Sequence, residues 1–131
     1  MKFSYARFSE TVQRPVIPIV LLYGDQSIAY EVLVDSGADM NIFDLELAEE
    51  LGIDVTSGVA AEVVSATGDA KEIYIHALRL RVDDHEFEAQ AAFMAEPSQD
   101  YGLAGQRGFF DQFVVQFDYA ARELELRVVK P

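Results

Sequence analysis

Short runs of β-branched and aliphatic residues, each closed by Gly, Asp or Pro, follow one another along this chain and leave room for little helix. "VIPIVLLY" (16–23) and "SIAYEVLV" (27–34) flank "GDQ", a turn, and read as paired strands. Pro18 suits an edge or a strand start rather than a central position. "AEVVSATGDAKEIYI" (61–75) reads as a hairpin with Thr67-Gly68-Asp69 at its tip. Along its second arm Ile73 and Ile75 alternate, then Leu78, Leu80 and Val82 alternate on the opposite parity, which predicts a bulge or kink near Ala77. "VDDHEF" is a turn, "FEAQAAFM" a strand and "AEPSQDYG" a loop; "FVVQFD" and a strand carrying Leu124, Leu126 and Val128 end the pattern. In "DLELAEELG" (44–52), Asp44 can cap a helix, Leu45, Ala48 and Leu51 share one face, and Gly52 can end it. "GFFDQF" (108–113) predicts a second, short helical turn. The chain is therefore expected to be all-β with one or two short helices, and a faint repeat of hairpin, strand, loop and helix suggests two similar halves.

At 131 residues, half of them hydrophobic, the chain is large enough for one buried core. It divides into an N-terminal arm (1–14) and a single domain (15–131). The arm's Phe3, Tyr5 and Phe8 suit either packing on their own barrel or an intersubunit strand, and Val128 and Val129 pose the same choice. A formal charge of −13 argues against a nucleic-acid partner, since phosphate binding needs clustered Lys and Arg and the basic residues here are scattered. No apolar run approaches the roughly 18 residues of a membrane span, and "MKFSYARFSE" has no signal-peptide pattern. The absence of cysteine removes disulfides, thiol catalysis and Cys-based zinc sites, and fits a cytoplasmic setting.

The chemistry concentrates at "VLVDSGAD" (32–39), where an apolar strand stops at Asp35 and passes into Ser36-Gly37-Ala38. Asp, Ser and Gly are ordinary turn residues. The alternative is a carboxylate delivered rigidly to a place of work.

Two hydrophobics before "DSGA", a helix soon after, a Gly-tipped hairpin and then "LAGQRG" together resemble the retropepsins, the single-domain retroviral-type aspartic proteases, over roughly residues 15–129. The resemblance implies a closed acid-protease β-barrel and a homodimer in which each subunit gives one aspartate, Asp35, to activate a shared water for peptide hydrolysis. Two adjacent carboxylates cannot both ionise, so such a pair holds one proton: one member takes a proton from water while the other polarises the scissile carbonyl. The resemblance further implies that Ser36, Gly37 and Ala38, with Leu103, Ala104 and Gly105 of a neighbouring loop, support the site. The flap residues Ala66, Thr67 and Gly68 would contact an extended peptide substrate, and Asp39 would either contact its backbone or stabilise the loop by bracing a basic residue. No metal or organic cofactor is required.

Departures stand beside the match. Ala104 is smaller than the usual residue of its loop, and Gln106 follows Gly105 where the viral enzymes carry an arginine that braces the DSG loop. An inactive retropepsin-like binding or dimerisation module is therefore the alternative. Asp100-Tyr101-Gly102 also reads D-x-G, but Tyr101 lacks the hydroxyl of a Ser or Thr at that place, and a surface loop is preferred. His76 and His85 flank no common acid cluster and read as strand-face or turn residues. Asp83 and Asp84 read as a solvated turn.

Overall fold

A computed structural model describes residues 1–64, 67–97 and 102–129. The N-terminal arm supplies β1 (Lys2–Ser4), β2 (Ala6–Arg7) and β3 (Gln13–Arg14), ahead of β4 (Val16–Tyr23) and β5 (Gln26–Val34). Then come β6 (Asn41–Phe43), helix α1 (Leu45–Leu51), β7 (Val59–Val64), the long β8 (Ala70–Val82) and β9 (His85–Met94). The remaining strands are β10 (Gly102–Ala104), β11 (Phe113–Asp118) and β12 (Glu123–Val128).

Strands β4, β5, β10, β6, β9 and β8 neighbour one another in that order, and β8 pairs back onto β4 through Val20–Arg81, Leu21–Leu80 and Leu22–Arg79. The strands thus close into a barrel, which removes the free edges an open sheet would leave. The pairing is mixed: β5 with β10 and β6 with β9 are parallel, and the other barrel pairs are antiparallel. Pro18 falls in β4 outside the stretch that closes onto β8, so the N–H it lacks is not needed there. Strand β7 lies outside the ring, bonded only to β8, and the two form the expected hairpin.

Alternation fills the barrel. Ile17, Ile19 and Leu21 of β4 and Val32 and Val34 of β5 point inward with period two, and the buried rings of Phe43, Phe93, Phe109 and Phe113 occupy the volume between them. A second, smaller apolar cluster of Met40, Ile73 and Ala92, flanked by Ile42, Val63, Ile75 and Met94, lies beneath the β7–β8 hairpin. This second cluster explains the parity change in β8. Ile73 and Ile75 serve the small cluster from one face, while Leu78, Leu80 and Val82 serve the barrel core from the other. No bulge is needed: β8 and β9 keep one register from Ile73–Met94 to Val82–His85, with Ala77 opposite Gln90.

Helix α1 forms as its sequence predicts. The Leu45 N–H donates to the Asp44 carboxylate at 2.9 Å, Gly52 ends the helix at φ 76°, and the buried face is Leu47, Ala48 and Leu51, with Leu45 only partly covered. The segment 108–112 is a run of turns rather than a second helix. Its Phe109 and Phe113 are both buried and have the helical spacing, but Gly108 has φ +96°, and the Phe110 and Asp111 N–H groups reach back five residues to Gly105 and Gln106. A short 3-10 turn over Val55–Ser57 leads into β7.

The N-terminal arm packs on its own chain. Strand β1 pairs with β12, Phe3 opposite Leu124, and the Met1 ammonium donates to the Leu126 carbonyl at 2.9 Å. Phe3 and Tyr5 cover the barrel core, and β11 completes a small sheet on the far side of β12.

Candidate active site

Strand β5 carries Asp35 out of the core on a fixed path. Val32 and Val34 are buried on either side of Leu33, the Val34 N–H donates to the Pro15 carbonyl at 2.9 Å, and the Asp35 N–H donates to the Ala104 carbonyl at 3.0 Å. Strand β10 runs parallel beside β5, with Gly102, Leu103 and Ala104 opposite Val32, Leu33 and Val34. Gly102 permits this approach, since a Cβ there would stand 2.8 Å from the Phe43 ring.

The loop after Asp35 folds onto its own carboxylate. Oδ1 of Asp35 accepts the Gly37 N–H at 2.8 Å, and the Ala38 N–H donates to the Asp35 carbonyl at 3.2 Å. Gly37 leaves this contact unhindered: a Cβ there would stand 3.2 Å from that same carboxylate oxygen, which would have to shift by a few tenths of an ångström. Asp35 is half-buried, with Ser36 and Gly37 exposed above a buried Ala38.

A second loop, 105–107, lies along the first. The Gln106 N–H donates to the Ala38 carbonyl and the Arg107 N–H to the Asp39 carbonyl, each at 2.9 Å, and Nε2 of Gln106 donates to the Ser36 carbonyl at 2.8 Å. Gly105 sits where a Cβ would meet the Met40 carbonyl oxygen at 2.3 Å and the Ala38 carbonyl at 2.8 Å. Asn41, a buried polar residue that the sequence did not single out, ties the loops to the barrel. Its Oδ1 accepts the Gly105 N–H at 3.0 Å and its Nδ2 donates to the Gln90 carbonyl at 3.3 Å. Both partners are distant in sequence, so no local pattern announces the role.

Asp35 opens onto a cleft of about 550 Å³. Gly37, Ala38 and Asp39 line it with Leu33, Ile42 and Leu103; Val63, Val64 and Lys71 enter from the β7–β8 hairpin, and Arg14 and Met94 complete the rim. Of the expected site residues, Asp35, Gly37, Ala38, Asp39 and Leu103 line this cleft. Thr67 and Gly68 are exposed, Gly68 at φ +88°, and among the described residues the hairpin reaches the cleft with Val63, Val64 and Lys71. Ala66, Asp100 and Tyr101 lie outside the described residues. Ser36 presents its carbonyl to Gln106, and Ala104 and Gly105 are buried behind the loop. Asp44, which also borders the cleft, caps α1.

Beside β10, burial raises the Tyr30 phenol above the ordinary tyrosine value, and a hydrogen bond from the Gly102 backbone offsets part of that rise. On the hairpin, the Glu72 carboxylate that accepts the Tyr74 hydroxyl holds that phenol high as well. The histidines stand apart from the cleft: Nε2 of His76 lies 2.8 Å from the Val55 carbonyl, and the His85 ring packs against Phe87 and Phe113. Among the described residues, no three His, Asp or Glu side chains converge as a metal would require.

A family model described as aspartyl protease matches residues 21–107, a span containing Asp35, both loops and the hairpin. No curated protein sequence matches the chain. The crystal structure of a retropepsin-like aspartic protease from Rickettsia conorii is similar with TM-score 0.66 at 20% identity, covering 95% of this chain and 97% of that one. The retroviral protease-like domain of Ddi1 from Leishmania major is similar with TM-score 0.61 at 18% identity, covering 88% and 90%. The EIAV protease in complex with the inhibitor HBY-793 is similar with TM-score 0.56 at 14% identity, covering 76% and 88%. At these identities the likeness is one of fold: the retropepsin-like barrel.

Proposed function

This chain belongs to the aspartyl protease family, and from that premise we propose that it is an endopeptidase working as a homodimer, with one Asp35 from each copy. The observation that carries this reading is the Asp35 carboxylate itself. It is held on a backbone bonded on both sides, with a glycine beside it, and it opens onto a cleft large enough for a peptide segment. One carboxylate does not suffice for the reaction. Among the described residues of the cleft, Asp44 caps its helix and Asp39 lies on the exposed part of the loop; the likeness to the retropepsins is what supplies the second carboxylate from a second copy.

In the paired site one aspartate is ionised and one protonated, because like charges at that distance cannot both ionise. The ionised member takes a proton from water as the oxygen attacks the scissile carbonyl. The protonated member donates to the carbonyl oxygen, whose charge would otherwise build up. Leu33, Ile42, Val63, Met94 and Leu103 give the cleft apolar walls, which favours extended peptides with apolar side chains flanking the bond. The hairpin would cover the substrate and keep bulk water from it.

The test is cleavage of a mixed peptide library between pH 4 and 7 at several protein concentrations, with Asp35→Asn alongside. Cleavage that rises faster than linearly with concentration and disappears in Asp35→Asn supports the reading. Cleavage that survives the substitution sinks it. Silence from a folded chain at every pH and concentration leaves the non-cleaving binding module instead.

A further inference from the structure

The loop that presents Asp35 is held mainly by backbone groups, and among the described residues the side chain that bonds one of its carbonyls from outside is Gln106. Nε2 of Gln106 reaches the Ser36 carbonyl, 70 positions away in sequence, at 2.8 Å. The neighbouring Arg107 bonds other parts of the same loop: its guanidinium contacts the Met40 sulfur at 3.9 Å and its backbone N–H donates to the Asp39 carbonyl. We propose that Gln106 is a positioning residue for the reaction at Asp35, an uncharged brace whose amide fixes the Ser36 carbonyl and, through it, the direction of the adjoining carboxylate. This inference rests on the protease reading above.

The geometry makes the carboxylate sensitive to that one bond. Oδ1 of Asp35 is oriented by the Gly37 N–H, and that N–H belongs to the peptide unit whose carbonyl is that of Ser36. A peptide unit is planar, so its carbonyl and N–H point in opposite directions and turn together. Holding the Ser36 oxygen with Gln106 therefore fixes the Gly37 N–H toward Asp35. Releasing it lets the plane rotate and the carboxylate lose its orienting donor. The other bonds in this region, from Gln106 N–H to the Ala38 carbonyl and from Ala38 N–H to the Asp35 carbonyl, act on different peptide units and leave this rotation free. The Gln106 side chain is exposed and fills no cavity, so its contribution is to orientation more than to folding.

Methionine at position 106 keeps the length of the side chain and removes the donor. Glutamate keeps the shape and loses the donor when ionised, but regains an O–H donor when protonated. The charged groups around that position are Asp35 and Asp39 on the facing loop, Arg107 and Asp111 on its own, and Asp44, Arg14 and Lys71 around the cleft. All are common to both variants and to the parent chain, so the ratio of variant to parent activity isolates residue 106.

The experiment measures kcat and KM on a cleaved peptide, together with amide hydrogen exchange at Gly37 and Ala38, for the parent chain, Gln106→Met and Gln106→Glu between pH 3.5 and 6.5. The inference expects Gln106→Met to lower kcat about tenfold, the scale of one lost neutral hydrogen bond, with little change in KM and with faster exchange at Gly37. It expects the Gln106→Glu ratio to climb toward one as pH falls through about 4.3, the ordinary glutamate value. Parent-like kcat in Gln106→Met, a loss of kcat without faster exchange, or a flat Gln106→Glu ratio overturns it. A parent chain that cleaves nothing defeats the protease reading itself, an outcome distinct from an active parent with an equally active Gln106→Met.

Discussion

Oδ1 of Asn41 accepts the Gly105 N–H at 3.0 Å inside the protein, across 64 positions of sequence. The bond joins the first residue of β6 to the loop that follows β10, and those two segments flank the Asp35 loop. With Nδ2 on the Gln90 carbonyl, one amide side chain fixes the loop pair to β9. Gly108 makes room for it, since a Cβ there would stand 2.3 Å from Asn41 Nδ2.

Asn41→Leu therefore leaves the Gly105 N–H and the Gln90 carbonyl without their partner at a buried place. A stranded buried polar group costs roughly 1–3 kcal/mol, and unfolding in urea should show a loss of about that size. Because the lost bond holds Gly105, the proposed proteolytic activity should fall in the fraction that remains folded. A variant as stable as the parent would mean that water or a neighbouring group replaces the amide.

Gly105→Ala meets backbone rather than flexible side chains, with the Met40 carbonyl oxygen 2.3 Å from the new Cβ. Neither loop can yield without breaking the Gln106–Ala38 or Asp35–Ala104 bonds. Overpacking of this kind costs roughly 1–3 kcal/mol, and here its lower bound should be exceeded in thermal or urea unfolding. A neutral Gly105→Ala would show that the two loops are not in fact pressed together.

Much of this arrangement could be read from the chain, and the failures share a cause. The strands, the capped helix and the Gly-tipped hairpin are local patterns, and "VLVDSGAD" placed the carboxylate because a turn motif after a buried strand is also local. Asn41 escapes such a reading because its partners, Gly105 and Gln90, are brought to it only by barrel closure. The parity change at Ala77 suggests a bulge only if one strand serves one core, whereas β8 faces two apolar clusters. Phe109 and Phe113 have helical spacing but are buried by a chain of turns around Gly108. Gln106, a departure where an arginine would brace the loop, reaches the loop by a neutral hydrogen bond.

The alkaline limit of stability should involve Tyr30. Burial raises its folded value above 10.0, so the folded chain disfavours the phenolate relative to the unfolded chain. The stability linked to this group is then complete below about pH 10 and is lost as pH rises through the folded value. Tyr30→Phe removes the titration along with the bond from Gly102. It should be less stable than the parent at pH 7 but decline less steeply between pH 9.5 and 11. Parallel curves for the two proteins in urea unfolding would assign the alkaline loss to other tyrosines.

Association of the proposed dimer is governed by charge in a way that salt can expose. Each copy carries a formal −13 at neutral pH, so two copies approaching through their Asp35 loops repel one another as whole bodies before any local contact forms. At ~0.01 M salt that repulsion extends about 30 Å, and at ~0.1 M about 10 Å. Salt should therefore strengthen association across this range, the opposite of its effect on partners held by opposite charges. Acidification toward the isoelectric region near 4.3 should act in the same direction, since it protonates the carboxylates responsible. Sedimentation velocity at a fixed protein concentration should show the mass move from one chain toward two as salt rises, with cleavage rate following the dimer fraction. Association that weakens with salt would point instead to an interface built on opposite charges, and activity that ignores the dimer fraction would remove the second copy from the mechanism.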